Sequence, residues 1–287
     1  MSGPSIAGQR LRFRRILLAL DTASPDPTAV ERATALAARL RGELLALYVE
    51  DIDLVRLAEH ASVNALSTVT AAPCEFATGY LRETLRLQAA RIRRELERMA
   101  ERRRIKCAFQ VRQGRLVAEA LRAAGDDDLV VIGGAGGRSE SLWAGRPLPA
   151  AVAQALTQAQ VRSVLLLRAD APAGGPVLIA FDGSERAWRG LSIGAQIAEL
   201  ENAAVEVALL AGRIDEAERN MTDIRAALAE SRLDVNFLHV PKAALSVLVG
   251  IALRRRCGLL VLDADRALAD EALRLLQRAA CSVLLVR

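Results

Sequence analysis

The sequence has little of what most catalytic and metal sites are built from. It contains two histidines, four cysteines and 3% aromatic residues in a chain of 287. Metal and thiol redox sites usually need several such ligands at close spacing. Neither histidine lies in a recognisable motif, and the cysteines form no C-x-x-C pair. We therefore expect no metal site, no histidine-based catalysis, and thiols that are buried or incidental. The residues concerned are His60, His239, Cys74, Cys107, Cys257 and Cys281.

Long hydrophobic runs are also missing. The longest, residues 243–253, is too short to cross a bilayer and predicts a buried helix. The basic N-terminal segment has no apolar stretch that ends at a cleavage site, so we expect no secretory signal. Together these absences predict a cytoplasmic protein without a membrane partner.

Positive charge is in modest excess, at a formal net charge of +5, and is concentrated at 10–15 and 91–104. Such basic segments bind nucleic acid in some proteins. In the second segment, however, glutamates alternate with the arginines and apolar residues recur at helical spacing, which is typical of an amphipathic helix with a salt-bridged outer face. We expect that helix and no nucleic-acid partner. The apolar stripe consists of Leu85, Ala89, Ile92, Leu96 and Met99.

What the sequence does contain is a repeated unit. SVLLLR at 163–168 and SVLLVR at 282–287 differ at one position and lie 119 residues apart. Other apolar runs occur in the same order in both halves of the chain. They pair as 16–21 with 177–182, 43–49 with 205–211, 107–114 with 235–242, and 128–134 with 258–264.

Segments of helical periodicity, such as 28–42 and 189–202, separate these apolar runs. Strands that alternate with helices form parallel sheets with right-handed crossovers, and near-continuous apolar strands are covered on both faces. The pattern predicts an α/β protein of two tandem units, 12–170 and 175–287, joined by a short linker rich in Ala, Pro and Gly. The first unit has an insertion at 51–80, which we interpret as either a lid or an interface.

The units share further details. In each, the first strand ends on an aspartate, Asp21 or Asp182. In the first unit, the second strand runs into YVED and the fourth opens the glycine-rich GGAGG. This pattern resembles the universal stress protein family in its tandem form, over nearly the whole chain. The resemblance implies two doubly wound domains, each with a five-stranded parallel sheet, within the adenine nucleotide alpha hydrolase-like superfamily. Many members of the family bind ATP, and others lack the glycine-rich loop and do not.

The family's nucleotide signature is G-x-x-G, nine residues, and then Gly followed by Ser or Thr. Gly133 and Gly136 fit it, but only eight residues precede Gly145, and Arg146 replaces the hydroxyl residue. In such loops, backbone N–H groups and a helix N-terminus approach the phosphates. By the resemblance, Asp21 and Val49 would hold the adenine and ribose, Ile132 and Gly133 would lie under the nucleotide, and Gly136, Gly145 and Arg146 would face the phosphates.

Alternatives stay open at this loop, since a glycine-rich stretch is also a common strand-to-helix turn. Arg146 either grips a phosphate bidentately or fills the vacant space and pairs with a carboxylate such as Asp21 or Glu140. Pro147 and Pro149 each remove an amide donor. We expect at most a weak, degenerate ATP site in the first unit.

The second unit lacks the loop, because no glycine follows Gly258. Asp263 and Asp265 would place negative charge where phosphates bind, which is repulsive. The segment also lacks the glycine and terminal glutamate of a calcium loop. We expect capping or surface carboxylates at the start of a helix, and no phosphate site within 263–270.

The sequence thus predicts a cytoplasmic stress-response protein that acts by binding and is not an enzyme, with ATP or another adenine nucleotide as its candidate ligand. The alternative is an interaction or scaffolding protein of the same fold. An ATP-dependent enzyme is disfavoured, because the chain has DTASPDP and DGSERAW where adenylating enzymes of the superfamily carry an S-G-G-x-D-S-like loop. Family members commonly pair through their last strands, so the resemblance implies an intrachain pseudo-dimer of 163–168 with 282–287. A homodimer or another protein partner stays open.

Overall fold

The computed structural model describes residues 13–22, 27–52, 56, 76–133, 152, 156, 160–168, 170–241, 244–267 and 280–287, without the side chains of 76–78, 80 and 81. Most of the predicted insertion at 51–80 and of the glycine-rich loop therefore lies outside the described residues. The described part alternates between strands and helices in both halves, as the repeat predicts.

The strands are β1 (Arg15–Asp21), β2 (Glu43–Asp51), β3 (Cys107–Gly114), β4 (Asp128–Ile132), β5 (Ser163–Leu166), β6 (Val177–Phe181), β7 (Val205–Leu209), β8 (Val235–His239), β9 (Leu259–Asp263) and β10 (Ser282–Val286). The helices with described bounds are α1 (Pro27–Leu40), α2 (Phe76–Arg103), α3 (Leu116–Ala123), α4 (Glu185–Glu201), α5 (Ile214–Ala227), α6 (Leu245–Arg254) and α7 (Ala264–Ala267). The helix predicted within 243–253 is α6.

The described strands form a single ten-stranded sheet in the order β3-β2-β1-β4-β5-β10-β9-β6-β7-β8. Each half repeats the same five-stranded parallel order, which confirms the predicted α/β fold class. The halves meet where β5 pairs with β10, and this neighbouring pair is antiparallel. We call this junction the seam.

The register at the seam shows how the halves are related. Leu165 pairs with Leu284, which is its own equivalent 119 residues later in the repeat. A pseudo-twofold axis therefore passes through this pair of residues. This is the pairing of 163–168 with 282–287 that the resemblance implies, and in it each strand covers the other's edge.

Apolar side chains cover both faces of the sheet, as the near-continuous apolar strands predict. On one face lie α1, α2, α4 and α5, whose buried residues join one cluster with Leu18, Leu165 and Leu284. The other face packs against α3 and α6 through a second cluster, which includes Leu17 and Val164. The connections of each half therefore divide between the two faces.

The basic segment 91–104, except Arg104, lies in α2 and has the predicted amphipathic structure. The apolar side chains on the inner face of α2 are buried; they are Leu85, Ala89, Ile92 and Leu96. On the outer face, the Arg93 guanidinium donates to the carboxylate of Glu97 at 2.8 Å.

Two ion pairs join α1 to α4 across the seam. Arg39 donates to Glu199 at 2.7 Å, and Arg32 lies 3.5 Å from Glu201. Such partly exposed pairs contribute little stability individually, so the strand pairing beneath them is the stronger link. Within the described ranges, no helix is both long and apolar enough to cross a membrane.

Candidate functional site

In the first half, the candidate site lies at the carboxyl ends of β1 and β4, which are neighbours in the sheet. From β1 the chain enters α1 on one face, whereas Val152 and Leu156, in the connection from β4 to β5, are buried on the other face. Ligands of open α/β sheets bind where adjacent strands send their connections to opposite faces, because a crevice opens there.

The structure brings four of the predicted site residues to this edge. Asp21 and Val49 are paired across β1 and β2. Ile132, at the end of β4, is fully buried, and the Gly133 amide donates to the Ala19 carbonyl of β1 at 3.2 Å. The other predicted site residues, Gly136, Gly145 and Arg146, lie outside the described residues.

Gly133 is required by packing. A Cβ at this position would lie 2.6 Å from the Cβ of Ala29, in the first turn of α1. The lack of a side chain lets α1 approach the end of β4 closely. The glycine therefore sets how closely α1 approaches the end of β4, whether or not a ligand is bound there.

A chain of polar groups that the sequence analysis missed supports the turn after β1. The Tyr48 hydroxyl donates to Gln88 Oε1 at 2.9 Å, and the Gln88 amide donates to the Thr22 carbonyl at 3.4 Å. Burial, together with the charges of Glu50 and Asp21, raises the pKa of Tyr48 to about 12. Tyr48 therefore stays protonated and can donate this hydrogen bond throughout the physiological range.

The equivalent edge of the second half carries a well-formed helix start. Ser184 caps α4, since its hydroxyl accepts from the Ala187 amide at 3.2 Å. The Ser184 amide in turn donates to Asp182 Oδ1 at 3.1 Å, and Gly183 between them has a φ of +82°. The sequence DGS thus forms a compact turn that fixes the Asp182 carboxylate at the end of β6.

Ion pairs occupy this second edge. Arg186 contacts the Asp263 carboxylate at 3.3 Å and also pairs with Asp265, while Arg266 donates to Asp182 at 3.3 Å. Burial alone would raise the pKa of Asp182, but the hydrogen bonds from Ser184 and the Arg266 ion pair outweigh it and hold that pKa below its usual range. We call these five charged residues the edge network.

The repeat alignment explains why the edges differ. Aligning 128–134 with 258–264 places Asp263 where the first half has Gly133, and Arg266 where it has Gly136. The two glycines of G-x-x-G are thus replaced by an acid and a base that belong to the edge network. The Asp265 amide also donates to Asp263 Oδ1 at 2.8 Å, which confirms the predicted capping role of Asp263.

Comparisons with known proteins bear on the fold. Neither a protein-family model nor a curated protein matches the sequence. Among solved structures, the chain is similar to a universal stress protein from Archaeoglobus fulgidus DSM 4304, with a TM-score of 0.64, 12% identity, and coverage of 95% of this chain and 96% of that one. The chain has the universal stress protein fold.

A putative universal stress protein from Pseudomonas aeruginosa UCBPP-PA14 gives a TM-score of 0.52 at 16% identity, over 96% of this chain and 93% of that one. A third structure, a universal stress protein in complex with cAMP, is 26% identical but covers 40% of this chain with a TM-score of 0.33, too low to bear on the ligand here. The universal stress protein fold thus spans nearly the whole chain, as the sequence predicts.

The described thiols of this universal stress protein-like chain are free, and burial raises the pKa of each. Cys107 and Cys281 are raised to about 11, and Cys257 to about 12. Cys74 lies outside the described residues. Among the described residues, no group of three or more His, Cys, Asp or Glu side chains is placed to hold a metal ion.

Proposed function

We propose that this chain is a cytoplasmic stress-response protein of the tandem universal stress type, which acts by binding and not by turnover. Its ligand would be ATP or another adenine nucleotide, held weakly and by the first half alone. The observation that carries this proposal is the contrast between the two equivalent edges: one carries glycine where the other carries the edge network.

Two features of the first edge support nucleotide binding. Asp21 is a half-buried carboxylate at the carboxyl end of β1, beside the crevice between β1 and β4, and the Thr22 hydroxyl donates to its Oδ1 at 3.2 Å. A carboxylate in this place can accept a hydrogen bond from a ribose hydroxyl or an adenine amino group. Gly133 also leaves the end of β4 without the carboxylate that Asp263 places at the equivalent position of the second half, so no acid at this position repels a phosphate.

The same comparison argues against a second nucleotide in the other half. A phosphate at that edge would meet the carboxylates of Asp263 and Asp265. Arg186 already pairs with both carboxylates. If it turned to the phosphate instead, Asp263 and Asp265 would be left beside the anion without a counter-charge from Arg186. Repulsion of this kind lowers affinity steeply in a partly buried site.

Weak binding in the first half follows from the loop sequence. Arg146 removes the hydroxyl of the family signature, and Pro147 and Pro149 carry no amide hydrogen. Each lost donor to a charged oxygen is worth roughly 1.5–3 kcal/mol. Arg146 recovers part of this if it grips a phosphate, and lowers affinity further if it fills the space instead.

Calorimetric titration of ATP tests the proposal directly. We expect wild type to bind one ATP weakly and Asp21→Asn to reduce the affinity further, because a carboxylate acceptor becomes an amide. Asp182→Asn is the matched control, since it makes the same change at the equivalent position of the second half. Loss of ATP binding in Asp182→Asn, with Asp21→Asn unaffected, would reverse the assignment of the halves.

The loop itself needs a separate variant. Arg146→Ser combined with Pro147→Ala restores a hydroxyl and an amide, and we expect tighter ATP binding than in wild type. Tight, low-micromolar binding by wild type that this double substitution abolishes would instead identify Arg146 as a phosphate ligand. No ATP binding by either protein would favour the alternative, an interaction protein of the same fold.

A further inference from the structure

A cavity of about 360 Å³ lies at one end of the seam and is lined mainly by arginine. Arg162 precedes β5, Arg287 follows β10, and Arg186 and Arg189 belong to the first turns of α4. Asp126 and Glu185 also line it. Four guanidinium groups therefore face two carboxylates, and we call this the arginine cavity.

The four arginines differ in how far other groups already neutralise them. Arg186 is paired within the edge network, whereas Arg162 lies 3.9 Å from Asp126, at the limit of an ion pair. Arg287 donates to the Leu156 carbonyl at 3.2 Å, which is a neutral acceptor. Among the residues that line the cavity, arginines thus outnumber carboxylates by four to two.

Arg189 differs from the other three arginines in having no directed contact with any described residue. It is half-buried, and within the described part of the chain it makes no hydrogen bond or ion pair. Burial and the nearby positive charge of Arg162 lower its pKa, and the carboxylates of Glu185 and Asp127 offset only part of this. A half-buried guanidinium beside a like charge is unfavourable unless an anion is supplied.

We propose that the arginine cavity binds the phosphate group of a small anion, with Arg189 and Arg162 as its principal ligands. Guanidinium forks match the geometry of phosphate oxygens and bind them bidentately. The cavity has the size of the smaller ligand pockets of proteins, enough for a phosphate with a short organic part. It shares no residue with the nucleotide edge of the first half.

The opposite end of the seam shows that this charge is not required by the fold. By the repeat, the equivalent of Arg189 is Thr28, and the equivalent of Arg162 is Cys281. The repeat therefore keeps neither arginine at the equivalent position of the other half.

The test is a titration of inorganic phosphate, by calorimetry or by ³¹P NMR line shape, into the full chain. We expect saturable binding at one site that Arg189→Gln weakens by at least about tenfold, because a charge-assisted contact is lost. Arg189→Lys should retain more affinity than Arg189→Gln, since it keeps the charge and loses only the fork. Arg162→Gln is a second variant, which removes the other principal ligand.

Arg219→Gln is the matched control, because Arg219 is an exposed arginine of α5 and the change removes the same charge. Equal weakening by Arg219→Gln and Arg189→Gln would mean unspecific attraction and overturn the proposal, as would the absence of saturable binding by wild type. Asp21→Asn should leave phosphate binding unchanged, which separates this site from the nucleotide edge.

A second titration, with glycerol 3-phosphate, identifies the source of the phosphate group. Binding tighter than that of inorganic phosphate supports a ligand with an organic part, and weaker binding supports the free anion. In both cases Arg189→Gln should lower the affinity. If it lowers neither, the arginine cavity is not the site.

Discussion

At the scale of single residues, each half has one glycine where a helix packs closely against the sheet, but the glycine lies at a strand end in the first half and on the helix in the second. The first half has Gly133 on the strand and Ala29 on the facing helix, whereas the repeat places Asp263 and Gly190 at these positions in the second half. The backbone of α1 and that of α4 therefore approach their sheets closely by different means.

This exchange predicts a compensating pair of substitutions. Gly133→Ala should destabilise the protein by roughly 1–3 kcal/mol, because the added Cβ would lie 2.6 Å from Ala29. Ala29→Gly in the same chain should recover much of that loss, since it removes the clashing atom. Urea denaturation of the two single variants and the double variant measures the coupling, and strictly additive losses would show that the Ala29 contact is not the cause.

The described thiols should be unreactive in the folded protein. In a Cys74→Ser background, Cys107, Cys257 and Cys281 remain, and burial raises each pKa to about 11 or 12. At pH 8 they are therefore almost entirely protonated, and the thiolate is the reactive form. We expect slow modification by a disulfide reagent in native buffer, slowest at the buried Cys257 and Cys281, and rapid modification of all three in guanidinium chloride. Fast native reaction of Cys257 or Cys281 would contradict its burial.

The stability that the edge network contributes to the fold should depend on pH through Asp182. Its pKa is depressed in the folded state, so its contribution to stability is present at neutral pH and is lost as the pH falls through the folded pKa, below about 4. Asp182→Asn should thus lower the melting temperature at pH 7, and its difference from wild type should shrink as the pH falls through the folded pKa. A difference that stays constant over this range would exclude ionisation as its source.

At the scale of elements, α2 tests how far one buried stripe stabilises the fold. Leu96 is fully buried, whereas Leu87 on the same helix is 62% exposed. Leu96→Ala should lower the free energy of unfolding by about 2–5 kcal/mol, and Leu87→Ala by less than about 0.5 kcal/mol. Chemical denaturation of both variants makes the comparison, with helix propensity matched because each change is Leu to Ala. Similar losses would mean that α2 is not docked as described.

The elements were predictable because their signals are local. Apolar runs and their repetition identified the strands, and the spacing of Leu85, Ala89 and Ile92 identified the buried face of α2. Asp21, Val49, Ile132 and Gly133 could be placed at one edge because the carboxyl ends of neighbouring parallel strands meet there.

The edge network was not predictable in the same way. Arg186 and Asp263 are 77 residues apart, and Arg266 and Asp182 are 84 apart. No periodicity links such positions, and an arginine in a turn usually faces solvent. The sequence signal that was available, an arginine close to each aspartate in DGSER and DADR, becomes informative only once β6 and β9 are known to be neighbours.

At the scale of the whole molecule, the seam should decide whether the chain stays soluble. Leu284 is fully buried at the pseudo-twofold axis, opposite Leu165. Leu284→Asp would place a charge inside the apolar cluster that spans both halves on one face of the sheet, so we expect aggregated or unfolded protein. Leu253→Asp is the control, because Leu253 is 45% exposed on α6 and should tolerate the same change. Light scattering and circular dichroism report the outcome, and a folded, monodisperse Leu284→Asp protein would contradict the role of the seam.

The seam also has a consequence for synthesis on the ribosome. The strand that covers β5 is made 119 residues after it. At about 5–20 residues per second, the emerging first half waits roughly 6–24 s with an apolar sheet edge that has no partner. During that interval, two nascent chains on one messenger can join through their β5 strands, and each then carries a displaced β10. The protein's yield should therefore depend on translation speed through its second half, a quantity set by codons and not by the folded structure.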